Sequence, residues 1–260
     1  MMMSVRKWFR SACVFTSLAG GLAFALLAHA QETTGSSDKE PVESGSEVAK
    51  SPVSASPYAS SAAVPDLAYG AYQRGYYLTA FELALPRAKL GDPAAQTLIA
   101  EIYDKGLGVP KDPREAAAWY EIAAGNGDTE AKFGFAVKLL EGRYVKPARE
   151  RARELLRKAA DAGHATASFN YGQLLIDDRP TTKGYTDALP YLEYAAENDV
   201  AEAYYLLAQV YQSGRLKGYP ETEKANEWLT RAARAGIEEA QVELGIRLAN
   251  GEVGDPDPKA

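Results

Sequence analysis

Ala95 to Gly127 reads AQTLIAEIYDKGLGVPKDPREAAAWYEIAAGNG, and the spacing within it decides the fold. Ala95, Ile99 and Tyr103 stand four apart, which places three apolar side chains on one face of a helix. Ala100, next to Ile99, is small and leaves room for a neighbouring helix. Gly106-Leu107-Gly108-Val109 interrupts the period as a turn. Asp112-Pro113 restarts it, because Asp suits an N-cap and Pro the first helical position. The second helix carries Ala116, the bulky pair Trp119-Tyr120 and the pair Ala123-Ala124. It stops near Gly127, as helices often do at glycine. The stretch is a helical hairpin.

The same hairpin recurs along the chain. The pairs Ala123-Ala124, Ala159-Ala160, Ala195-Ala196 and Ala232-Ala233 follow one another at steps of 36, 36 and 37 residues. In the same register run the leading alanines Ala95, Ala131, Ala167, Ala203 and Ala240. Position +4 from each is Ile99, Phe135, Tyr171, Leu207 or Leu244, and position +5 is always small: Ala100, Ala136, Gly172, Ala208, Gly245. A period of this length, with helical spacing inside each unit, is the signature of stacked hairpins. The later turns depart from the first. Gly142-Arg143-Tyr144-Val145 has lost one glycine, the third turn contains Asp177-Asp178-Arg179-Pro180, and Asp199 replaces the terminal glycine.

Residues 95–127 resemble the Sel-1-like repeat family, a relative of the tetratricopeptide repeat. The residues that carry the likeness are Ala95, Ile99, Ala100, Tyr103, Gly106, Gly108, Val109, Asp112, Ala116, Trp119, Tyr120, Ala123, Ala124 and Gly127. The resemblance implies an all-α fold, a right-handed α-solenoid of helical hairpins over residues 66–260. Its expected parts are a shorter tetratricopeptide-like unit at 66–92 and repeats at about 93–128, 129–164, 165–200 and 201–237. A capping helix is expected at 238–250, with polar Glu239, Gln241, Glu243 and Arg247 suited to an end. Asp257-Pro258-Lys259-Ala260 aligns with the start of a second helix. Pro86 should bend or break the second helix of the first unit, since it lacks a backbone donor.

The first thirty residues belong to targeting, not to the fold. Arg6, Lys7 and Arg10 precede the uncharged run Ala12 to Leu27, and Ala28-His29-Ala30 supplies a small-x-small cleavage pattern. The run is shorter than the roughly 20 residues a spanning helix needs, so no membrane span is expected once the segment is removed. Residues 31–65, with nine serines and four prolines, read as a disordered linker. The expectation is an exported protein, located in the periplasm of a Gram-negative cell.

Composition narrows the chemistry. The 260 residues carry 29 Lys and Arg against 35 Asp and Glu, a net charge of −6 that becomes −9 without the first thirty. An acidic chain does not favour nucleic acid as a partner. The single cysteine, Cys13, and one of two histidines, His29, lie in the targeting segment. What remains has no thiol and one imidazole, His164, read as a solvated residue between units. Neither a metal site nor a cofactor is expected from this inventory, and no catalytic residue is assigned. Gly106-Leu107-Gly108 follows a helix, so it reads as a turn pair rather than a phosphate loop. The basic run Lys146 to Lys158 reads as a solvated outer face, with an anionic partner as the alternative.

Binding of another protein is the function left. If positions 0, +4, +5 and +8 are buried, positions +2 and +6 point elsewhere, toward the inner surface of the stack. Those registers give the candidate protein-binding groove: Thr97, Phe133, Val137, Phe169, Gln173, Tyr205, Gln209 and Val242. The competing reading wedges Phe133 and Phe169 between helices. The resemblance implies a non-enzymatic scaffold or adaptor in the bacterial envelope, or a regulator of an envelope sensor kinase or of exopolysaccharide production. A cell-wall or β-lactam hydrolase is disfavoured, because the branch of the family that binds penicillin-like compounds carries a cysteine pair in each repeat.

Overall fold

The structure, a computed structural model, describes residues 66–253. The expected targeting segment, the linker and the Asp257-Pro258 alignment lie outside the described residues. Within them are eleven α-helices and no strand. They are α1 (Leu67–Gln73), α2 (Tyr77–Lys89), α3 (Pro93–Lys105), α4 (Pro113–Gly125), α5 (Thr129–Glu141), α6 (Arg149–Asp161), α7 (Ala165–Asp178), α8 (Thr182–Glu197), α9 (Ala201–Gln212), α10 (Thr222–Arg234) and α11 (Glu238–Ala249). Packing runs from each helix to the next, so the fold is an all-α array of hairpins: α1–α2, α3–α4, α5–α6, α7–α8, α9–α10, then α11.

The helix starts follow the chemistry of the sequence. Asp112 Oδ1 accepts from the backbone N–H groups of Arg114 and Glu115, and Pro113 is the first helical residue. Asp66, Asp92 and Asp128 cap α1, α3 and α5 in the same manner. Each cap satisfies donors that the first helical turn would otherwise leave unpaired.

The core is the periodic apolar set. Ile99, Phe135, Leu139, Leu156, Leu174, Leu192, Leu207 and Leu229 are buried, and so is nearly every alanine of the recurring series. The small +5 position has the role expected of it. A Cβ on Gly172 would stand 2.7 Å from Leu192 Cδ2 of the facing helix α8. Gly108, at φ +73°, would set a Cβ 2.7 Å from the backbone nitrogen of Leu78. The first turn therefore nests against α2, which is a structural use for the Gly-Leu-Gly pair.

Pro86 does not break its helix. Helix α2 continues through it to Lys89, and α8 likewise runs through Pro190. Both prolines are on exposed faces, as are Glu82 and Thr186 four residues before them. Water can solvate the carbonyls that lose their partner, so the usual interior penalty is reduced. Helix α8 also starts without an Asp-Pro. Gly184 lies so close to the Arg179 carbonyl that no side chain fits there, which lets a three-residue connection join α7 to α8.

The seam between units as a candidate protein-binding surface

The expected groove residues divide by position. Thr97 and Phe169 are buried, and Phe169 keeps only 5% of its surface. Phe133, Val137, Gln173 and Tyr205 are half-buried, while Gln209 and Val242 are exposed. The expectation that the whole +2 register faces solvent is therefore corrected for Thr97 and Phe169.

The reason lies in what the +2 register touches. Thr97 Oγ1 is 2.9 Å from Asp128 Oδ1, the cap of the following unit. The Phe133 ring lies 4.8 Å, centre to centre, from the ring of His164, which begins the unit after that. Tyr205 Oη donates to Glu243 Oε2 on α11 at 3.2 Å. In three of the seams, position +2 of one unit meets the next unit. The register joins units, and only its flanks remain for a partner.

His164 needs the second correction. Its side chain is 15% exposed, not solvated. Nδ1 accepts from the backbone N–H of Ala167 at 3.0 Å, so it caps α7 where Asp92 and Asp128 cap their helices. With Nδ1 accepting, the ring proton sits on Nε2 and is donated to Glu130 Oε2 at 3.0 Å. That hydrogen bond, outweighing partial burial, holds the Glu130 carboxyl below its usual range. Both nitrogens are committed, and one imidazole ties two units.

Other polar links follow the first helices. Lys138 Nζ on α5 pairs with Asp104 on α3 at 2.8 Å, with both side chains largely covered. Tyr72 Oη on α1 donates to Glu101 on α3. Arg247 on α11 reaches Gln212 on α9 and Glu243 on its own helix. The pairs Lys138–Asp104 and Arg247–Gln212 could not be read from a 36-residue period, because their side chains differ from unit to unit.

The basic run on α6 is neutralised in place. Arg149 pairs with Asp178, Arg151 with Glu121, Arg153 with Glu150, Arg157 with Asp161 and Lys158 with Glu154. An anion would have to displace carboxylates already present. Among the described residues no group of His, Cys, Asp and Glu is placed to hold a metal ion. No described helix is long and apolar enough to cross a membrane.

The Sel1 repeat family model matches residues 93–128, 136–164 and 201–237. Of the four full repeats, the unmatched one, 165–200, is the one with the short connection, the longer α8 and Asp199 in place of glycine. A solved Sel1 repeat protein from Oxalobacter formigenes is 31% identical, with a TM-score of 0.64 over 71% of this chain and 73% of that one. A protective antigen of uropathogenic Escherichia coli strains, displaying an SLR fold, is 28% identical with a TM-score of 0.61. That likeness covers 66% of this chain and 37% of the antigen. Hairpins at a 36-residue step, small residues where helices meet, and a relative at this identity together make the chain a member of the Sel1 repeat family.

Proposed function

We propose that this protein is an exported, non-enzymatic scaffold of the bacterial envelope that binds a protein partner along its first helices. Sel1 repeat arrays generally serve as protein-interaction scaffolds, and the chain belongs to that family. The observation that carries the reading is the +6 register. Val137 on α5, Gln173 on α7 and Gln209 on α9 keep accessible surface at one position of successive first helices. Phe133 and Tyr205 show an edge beside them. A peptide or helix following the array meets an equivalent position in each unit, and such repeated contacts give extended recognition.

Regulation of an envelope sensor kinase or of exopolysaccharide production would be specific forms of this role. A hydrolase reading has no support in the described residues, since both ring nitrogens of His164 are engaged and the neighbouring Ser168 hydroxyl donates to the His164 backbone carbonyl, not to the ring. The test is in-cell crosslinking from a photoreactive residue at Gln173 or Gln209, with Arg151 and Arg157 on α6 as the contrast. Capture of one protein from α7 and α9 supports the reading. Capture from α6 alone places the partner on the other helices and sinks it.

A further inference from the structure

The connections between the first and second helix of each hairpin lie side by side along one edge of the array. Gly108, in the connection 106–112, packs on the backbone of Tyr77 and Leu78, next to the connection 74–76. Lys138 and Asp104, near the ends of α5 and α3, pair at 2.8 Å beside the connections 142–148 and 106–112. Arg149 at the start of α6 pairs with Asp178 at the end of α7, and Arg215 Nη1 donates to the Pro180 carbonyl at 3.1 Å. Those two contacts set 179–181 between 142–148 and 213–221.

This edge is basic, although the chain carries a net charge of −6. Arg74, Lys111, Arg143, Lys146, Arg179 and Arg215 are exposed, and none pairs with a carboxylate among the described residues. The cations of α6, by contrast, are all paired. Carboxylates along the edge are mostly engaged. Glu221 pairs with Lys217, Asp112 caps α4, and Asp104, Glu141, Glu150 and Asp178 pair with Lys138, Arg153 or Arg149. Asp177 is half-buried, and the exposed Glu115 and Glu223 adjoin Arg114 and Lys224 in sequence. The connections along the opposite edge hold Asp92, Asp128 and Asp199 and no Lys or Arg.

Aromatic rings stand among the unpaired cations. Tyr76, Tyr144 and Tyr219 lie in three of these connections and are 62%, 46% and 59% exposed. Each is within two residues of a cation: Arg74, Arg143 and Lys217. Their hydroxyls bond to no described residue, whereas exposed Tyr194, toward the other edge, donates to the Gly163 carbonyl. Exposed Pro110, Pro147, Pro180 and Pro220 stiffen four of the five tips.

We infer that this edge rests on an anionic phospholipid bilayer, its unpaired cations against the phosphates and its three tyrosines at headgroup depth. Lys and Arg are drawn to such a surface, and tyrosine is enriched at membrane–water interfaces because its ring is apolar and its hydroxyl wet. A bilayer suits the edge better than an acidic peptide does, because the rings and cations are spread over five connections and a broad surface reaches them together. The acidic opposite edge is repelled by the same charge, which leaves one orientation. Contact is peripheral, since no described helix is long and apolar enough to cross a membrane. The inference does not depend on the partner proposed for the first helices.

Flotation of the whole chain with vesicles tests this, comparing phosphatidylglycerol mixed into phosphatidylcholine with phosphatidylcholine alone. Binding should require the anionic lipid and fall away in about 0.5 M salt. Arg143→Glu with Lys146→Glu should weaken it by about tenfold or more, with helical circular dichroism unchanged because both side chains are exposed. Arg143→Gln with Lys146→Gln stands in if the helical signal falls. Arg157→Glu with Lys158→Glu on α6 makes the same change in net charge and should leave most of the binding. Tyr144→Ser with Tyr219→Ser should weaken it several-fold at unchanged charge. Equal losses from the two charge reversals would show net charge acting and not the edge, and overturn the inference. Unchanged binding in the Arg143 and Lys146 variant, no effect of the tyrosine pair, or equal binding to the neutral vesicles would each overturn it as well. So would absence of vesicle binding, including the case where the edge binds soluble polyglutamate instead.

Discussion

Asp199 stands where sister units place Gly91, Gly127, Gly163 and Gly236, and it shares their positive φ at +60°. A left-handed backbone costs an L-residue roughly 1–2 kcal/mol, and Asp tolerates it better than most because its short side chain bonds locally. Here the carboxylate accepts from Tyr204 Oη at 3.1 Å. Asp199→Val should lower stability to urea by about 1–2 kcal/mol, while Asp199→Gly should be tolerated. Glu130 offers a second test at this scale. Its hydrogen bond from His164 depresses its pKa below the ordinary 4.5. Stability from a depressed carboxyl is complete above the unfolded value and is lost as pH falls through the folded one. Glu130→Gln should therefore lower Tm at neutral pH, and the gap from wild type should close as the buffer is acidified below the glutamate range. A gap that is constant with pH would show that the carboxylate contributes nothing here.

Helices report on packing. Gly172→Ala would press a methyl against Leu192, so α7 and α8 must part or Leu192 must change rotamer, at about 1–3 kcal/mol. Adding Leu192→Ala should recover part of that loss relative to Leu192→Ala alone, a coupling that a double-mutant cycle in urea reads directly. Phe169→Ala empties a buried site and should cost about 3–4 kcal/mol, more than expected for a surface anchor. These positions also mark how far the sequence could be read. Alanine spacing and small +5 residues placed the helices of the matched units, with Asp-Pro starts added in 93–128, because each acts within one hairpin. The fate of the +2 register was not legible, since Phe133 and Phe169 look alike in sequence and their burial depends on the next unit. His164 was misread for a related reason. A cap is recognisable when it is Asp, but imidazole in that place fits the pattern only once Ala167 N–H is seen to point at Nδ1.

Across the whole molecule, stability is a sum over units and their seams. The central cluster, from Ala100 through Leu156 to Leu174, is bounded by hairpins on both sides, whereas α11 buries only Ala240 of its own residues. Amide hydrogen exchange should therefore be slowest in α5 to α7 and fastest in α11, with α1 also fast; equal protection throughout would mean one cooperative unit and not an array. The seams have a further consequence. Asp128 reaches back to Thr97, and His164 reaches back to Glu130, so each link closes onto chain that lies earlier in the sequence. During synthesis from the N-terminus, every such cap emerges after its partner is already outside the ribosome. The array can thus be laid down in order, hairpin by hairpin, with no finished unit waiting for a distant segment to arrive.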